Sequence, residues 1–370
     1  MEPDQNDPLA FAQLLLSLLD EGRRTATYKL AVLLALIDCC ARSSDDRGRP
    51  STSVPTRDLA RRVVDLYWRQ VRPSGLIDGA VLRQSNQPRA VTVEAVAGLR
   101  RAAELVGVST FDAAEMLTPE ATARCLDTVE LNLVRMPLGK LQRPSSFDAK
   151  TNPDYPRFMY DDASFHERLT RTELDRTPLS LELRPGVADW LVSLSGLLRP
   201  LIELHWTRQV AHFNRVELGE DGLRKFLFGS QRIALRRLRG GLLDAQSGDC
   251  FYCGDRPALD EMAIDHFVPW SRVPNDALAN LVLTDGRCNG SKSDNYADLD
   301  HVQRWATRPR EVLAETAEAA NWPLRLETTL GIARGLYVHL PTGSRLWSQP
   351  GVFTQLDEGK LSDLLPSLRP

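Results

Sequence analysis

The sequence predicts a mainly helical, multidomain chain with one small α+β module toward its C-terminal end, followed by a short helix and hairpin. Three observations carry that expectation. Apolar residues recur at helical spacing through most of residues 1–220. Two short apolar runs, Ala263–Phe267 and Leu281–Leu283, stand among turn-forming residues and read as strands. Between these regions lies Leu223–Gly241, rich in arginine and free of acid. A length of 370 residues suffices for two or three cores. The expected division is a helical region over 1–220, a module with its basic helix over 221–305, and an extension over 306–370.

Residues 9–19 and 27–42 read as helices, the second capped by Thr25 or Thr27. Ser44–Ser53 is a polar loop, and a helix opened by a Thr cap at Thr56 runs over Arg57–Arg69. Such a pair could form a helix-turn-helix, but two packed core helices are the simpler reading. Helices follow over Val91–Val106 and Thr118–Val134, then an irregular connection over 138–162. Short strands are expected at Arg157–Tyr160 and Leu179–Leu183, and a helical stretch from Gly186 to near Asn214. In the basic segment, Lys225, Arg232, Arg236 and Arg239 would share one face of a single helix. The extension should hold a helix over Arg310–Ala320 and strands at Leu336–Leu340 and Arg345–Trp347.

Composition excludes some classes. A net charge of −3 gives no global basic field, so any nucleic-acid surface must be local. The longest apolar run, Leu30–Ile37, is too short to span a bilayer, and the acidic, polar first residues carry no secretory pattern. The six cysteines are not spaced as a disulfide framework: Cys39 and Cys40 lie in a helical run, Cys125 stands alone, and Cys250, Cys253 and Cys288 group together. A reduced, cytoplasmic protein with a small metal or thiol site is the simpler expectation.

The informative stretch runs from Cys250 to about Trp305. It holds Cys250-Phe-Tyr-Cys253-Gly254, then Ile264-Asp265-His266-Phe267-Val268-Pro269, then Asn280-Leu281-Val282-Leu283 and Cys288-Asn289 with Lys292. A hairpin followed by a helix would carry these residues. On a strand, adjacent side chains point to opposite faces, so one of Asp265 and His266 can face a metal while the other faces a water. Asn289 at the helix start can complete a metal site, and Lys292 one turn on can meet a phosphate.

These spaced elements together resemble the HNH nucleases, also called ββα-metal nucleases, over roughly residues 245–305. Lys292-Ser293-Asp294 is also similar to the HNH domain of CRISPR single-protein effectors. The resemblance implies an endonuclease. His266 would be the general base, and Asp265 and Asn289 would hold one Mg²⁺ (or Mn²⁺). Asn280 would orient the loop that carries the histidine. Lys225, Arg232, Arg236, Arg239 and Lys292 would contact nucleic acid, with double-stranded DNA the expected substrate and RNA not excluded. By analogy with stand-alone bacterial nucleases of this layout, it further implies restriction or phage defence, with a homodimer or a defence-system subunit as partner.

Many such domains carry two Cys-x-x-Cys pairs around a structural zinc; here the second pair falls on Asp285 and Cys288. Two readings stay open: a zinc staple of Cys250, Cys253, Cys288 and Asp285, or a zinc-free hairpin whose thiols merely pack. The rival functional readings are a nucleic-acid-binding protein with an inactive module, and a zinc-stapled interaction module.

Overall fold

The computed structural model describes residues 7–20, 25–75, 79–87, 90–143, 157–215, 220–229 and 235–369. The chain is mostly helical, with three separate two-stranded antiparallel sheets among the described residues. It divides into two compact units: residues 1–40 with 51–229, and residues 41–50 with 230–370. Among the described residues, no helix is long and apolar enough to cross a membrane.

The first unit is built from helices α1 (Pro8–Asp20), α2 (Tyr28–Arg42), α3 (Thr56–Gln70), α4 (Val91–Leu105), α5 (Phe111–Leu117), α6 (Pro119–Arg135), α7 (Arg171–Arg176), α8 (Val187–Ser193), α9 (Ser195–Asn214) and α10 (Glu220–Phe228). Among its described residues, β1 (Ser53–Pro55) pairs with β2 (Ser180–Glu182). Helix α3 forms because Leu59, Val63, Leu66 and Tyr67 recur at helical spacing and are all buried. At its centre the buried Asp38 accepts from Arg62 Nε at 2.6 Å and pairs with the buried Arg199. Each ion is compensated, as burial of charge requires.

Several local expectations need correction here. Thr56 does not cap α3; it is the first helical residue, and its hydroxyl donates to Glu130 and to the Leu179 carbonyl. The Thr27 hydroxyl likewise serves tertiary partners, Tyr67 and Gln84, rather than a helix end. The strand expected at Arg157–Tyr160 is only an isolated bridge from Tyr160 to Leu183, and β1 lies partly in the presumed loop. The long helix from Gly186 is two, broken at Leu194.

The second unit holds α11 (Arg239–Ala245), β3 (Met262–His266), β4 (Leu281–Asp285), α12 (Gly286–Lys292), α13 (Leu299–Ala306), α14 (Arg310–Ala319), α15 (Leu326–Val338), β5 (Arg345–Gln349), β6 (Val352–Gln355) and α16 (Glu358–Leu364). The β3–β4 hairpin and α12 form the expected ββα arrangement. One side of the hairpin packs Leu281 and Leu283 against Leu235, Leu238, Leu242, Leu278 and Ala317. Elsewhere Phe267 stacks on Trp305, with ring centroids 4.5 Å apart and 6° between planes.

Leu336–Leu340 is not a strand. Leu336 continues α15, in which every residue from Thr329 to Tyr337 is buried, so the helix is enclosed on all sides. The hairpin instead joins β5 to β6 through Pro350-Gly351, where Gly351 takes φ +79°. Strand β5 also ties down the chain after α12: Trp347 N donates to Tyr296 O at 2.7 Å, Asp298 N donates to Trp347 O at 2.8 Å, and the Trp347 indole donates to Ser291 Oγ at 3.0 Å.

Candidate active site and thiol cluster

Register places Asp265 opposite Val282 and His266 opposite Leu281, so their side chains leave opposite faces of the hairpin. Asp265 is largely buried, and its Oδ2 accepts two hydrogen bonds: from the Tyr252 hydroxyl at 2.6 Å and from the Lys292 ammonium at 2.9 Å. Among the described residues, Oδ1 has no partner. Burial, reinforced by the Asp265 charge and hydrogen bond, raises Tyr252 well above the ordinary phenol value, so this donor stays neutral.

On the other face, His266 Nε2 lies 2.8 Å from Asp276 Oδ1, and its ring centroid is 5.2 Å from that of Trp270. A carboxylate at Nε2 makes that nitrogen the protonated one in the neutral ring, leaving Nδ1 as the acceptor. No described residue occupies Nδ1.

Asn280 is fully buried at the end of the 3₁₀ turn Leu278–Asn280, immediately before β4. Its Oδ1 accepts from Val268 N at 2.8 Å, and its Nδ2 donates to Val268 O at 3.1 Å and to Asn275 O at 3.0 Å. It therefore ties both ends of the loop between His266 and itself. Asn289 is half-buried on α12, one turn before Lys292 on the same helix face, and its amide has no partner among the described residues.

Lys292, expected at a phosphate, is instead fully buried: besides Asp265 it donates to the His266 carbonyl at 3.0 Å. The single basic helix is also corrected. Helix α10 stops at Phe228, before Gly229, where an added Cβ would meet the Lys225 carbonyl at 2.5 Å. Among the described residues that follow, Leu235 is helical, Arg236–Leu238 forms a 3₁₀ turn, and α11 comes next. Lys225 is exposed in the first unit and Arg239 half-buried in the second, so they do not share one helical face. Arg232 and the side chain of Arg236 lie outside the described residues.

The cysteines converge. One donor atom each from Cys250, Cys253, Asp285 and Cys288 lies within 4.8 Å of the others. Thiolates bound tetrahedrally to one zinc ion stand about 3.8 Å apart, so the set fits a single ion with little movement. Gly254, at φ +79°, closes the first turn and donates to the Cys250 carbonyl at 3.0 Å. Asp285 caps α12, accepting from Cys288 N at 2.7 Å, while the Cys253 thiol donates to its other oxygen at 3.3 Å. Burial works to raise Asp285, yet hydrogen bonds from Cys250, Cys288 and Cys253 hold it well below the usual carboxylate range. Burial and the same carboxylate push Cys253 up to about 12 and Cys288 higher still.

Tyr252 and Asp276 were missed in the sequence. In the sequence Tyr252 is one aromatic inside Cys-x-x-Cys and Asp276 one acid between the two strands, with nothing local to mark either. Only the fold brings each to its partner.

Residues 250–302 match a family model described as HNH endonuclease. No curated protein matches the sequence. A solved structure, the crystal structure of the Type II-C Cas9 enzyme from Actinomyces naeslundii, is 14% identical, with a TM-score of 0.17. That comparison covers 94% of this chain and 43% of the other, so the chain spans less than half the length of that enzyme. Residues 9–223, more than half of the sequence, match the family described as Domain of unknown function (DUF8808), and the chain belongs to that family while carrying an HNH endonuclease domain in its second unit.

Proposed function

We propose that this protein is a metal-dependent endonuclease that hydrolyses phosphodiester bonds in DNA. The observation that carries the reading is the His266–Asp276 pair, 2.8 Å apart, which leaves Nδ1 without a partner among the described residues. In this mechanism Asp276 holds the ring and its tautomer, and Nδ1 takes the proton from the attacking water. Asn280 fixes the loop so that the imidazole keeps its aim. The resulting imidazolium is stabilised by the Asp276 carboxylate on its other nitrogen.

Asp265 Oδ1 and the Asn289 amide oxygen, both unpartnered among the described residues, would hold Mg²⁺ or Mn²⁺, which favour oxygen donors. Such an ion supplies charge stabilisation to the phosphate and its departing oxygen. The thiol cluster would hold a structural zinc that staples the Cys250–Cys253 turn to α12. Exposed Lys225 and half-buried Arg239 are retained as phosphate contacts, together with Arg232 and Arg236. A cytoplasmic role in restriction or phage defence, with double-stranded DNA as substrate and a homodimer or partner subunit, follows from analogy with nucleases of this layout.

The test is cleavage of supercoiled plasmid with Mg²⁺ or Mn²⁺, comparing wild type with His266→Ala. Nicking by wild type that EDTA and the substitution both abolish supports the reading. Equal cutting by both proteins removes His266 from the chemistry.

A further inference from the structure

We propose that Tyr252 is a positioning residue for the catalytic ion, acting through Asp265; this rests on the reading of Asp265 as its ligand. Three features of the structure converge on it. The Tyr252 ring is buried against Trp347, His301, Phe251 and Phe267, with centroids 5.0 Å, 5.2 Å, 5.2 Å and 6.5 Å away. That cage fixes where the hydroxyl can point. The hydroxyl donates to Asp265 Oδ2 at 2.6 Å, the oxygen that also takes the Lys292 ammonium at 2.9 Å.

A carboxylate with no such partners can turn about its last bond and offer either oxygen or both. Here one oxygen is occupied by two strong donors, and Oδ1 alone is left for a cation. Lys292 supplies charge compensation for a buried carboxylate, while Tyr252, neutral and ring-locked, supplies direction. The ion is therefore met by a preset, one-oxygen ligand and pays no reorientation on binding.

Tyr252 also stands between Cys250 and Cys253 in the chain. The thiol cluster and the Asp265 carboxylate thus share one short turn, and the cluster's role extends from stapling the fold to aiming a ligand in the active site.

The experiment is Mn²⁺ titration of the full-length chain, reading free Mn²⁺ by electron paramagnetic resonance, for wild type, Tyr252→Phe and Asp265→Asn. Tyr252→Phe keeps the ring and its packing and deletes only the hydroxyl. Its Mn²⁺ dissociation constant should rise about tenfold or more, the usual effect of losing a partner behind a ligand, with thermal unfolding near that of wild type. Binding equal to wild type in Tyr252→Phe, together with loss of binding in Asp265→Asn, overturns the positioning role and leaves the ligand assignment standing. Wild-type binding in Asp265→Asn overturns the ligand assignment and the proposal with it. If Tyr252→Phe fails to fold, the crystal structure of the wild-type protein with Mn²⁺ decides. Ligation through Oδ1, with Oδ2 still on Tyr252 and Lys292, supports the proposal; ligation through Oδ2 or both oxygens refutes it.

Discussion

Asn280→Ala is the substitution whose cost the structure specifies most fully. Three hydrogen bonds disappear, and their partners, the amide and carbonyl of Val268 and the carbonyl of Asn275, belong to buried residues. An orphaned buried polar group costs about 1–3 kcal/mol, and partial relaxation or entry of water recovers some of it. For three orphans a loss of about 4 kcal/mol is expected, a large share of the roughly 5–15 kcal/mol that holds a domain together. Because the protein has two units, a single unfolding curve would mix them. Native-state hydrogen exchange on peptides spanning 266–283 reads the local opening energy instead. Cleavage should fall in parallel, since the loop carrying His266 loses both anchors. Asn280→Asp should fare no better: it can still accept from Val268 but turns an oxygen toward two carbonyls. Opening energies within about 1 kcal/mol of wild type for Asn280→Ala would refute the reasoning, because not even one orphan would have been created.

Two further outcomes follow from side chains in the same unit. Burial lowers His301 below the ordinary 6.5, and its neutral ring is fixed by a bond from Nε2 to the Ser348 carbonyl at 2.7 Å and one from Arg304 to Nδ1 at 2.6 Å. The unfolded chain then binds this proton more readily than the folded one, so the stabilisation is complete above about pH 6.5 and is lost as pH falls below that value through the lower folded pKa; His301→Gln should flatten that acid limb in a urea titration. Stripping metal from the thiol cluster with a strong chelator should lower the melting temperature of the second unit by several degrees, and Cys288→Ser should purify with less than ~1 zinc per chain. An unchanged melting curve in protein shown by elemental analysis to be metal-free would remove the staple.

Legibility in the sequence followed how local the determining physics was. The ββα segment was readable because its spacing is set within the hairpin and the helix that follows it, from Ile264 to Lys292. Helices α3, α4 and α6 were readable because their buried faces repeat at helical spacing. What escaped was decided by distant partners. Lys292 resembles any exposed lysine on a short helix until β3 is folded beneath it and Asp265 takes its charge. Leu336–Leu340 alternates well enough for a strand, and only burial on several sides makes it helix. The break after Phe228 turned on Gly229, where a side chain would strike backbone. Asp276 acquires its role only because the loop folds back on His266.

Trp347 sets how this HNH domain could be moved between proteins. The family match ends at residue 302, yet the backbone of Trp347 clamps the segment that leaves α12, its indole holds Ser291, and its ring walls Tyr252. A gene fusion cut at the edge of the matched region would carry every residue proposed for the chemistry and leave behind the ring that walls Tyr252 and the indole that holds Ser291 on α12. The smallest portable piece therefore runs through β5 and its β6 partner, and recombination between 302 and 355 would yield a chimera whose site is complete in letters but unsupported in space.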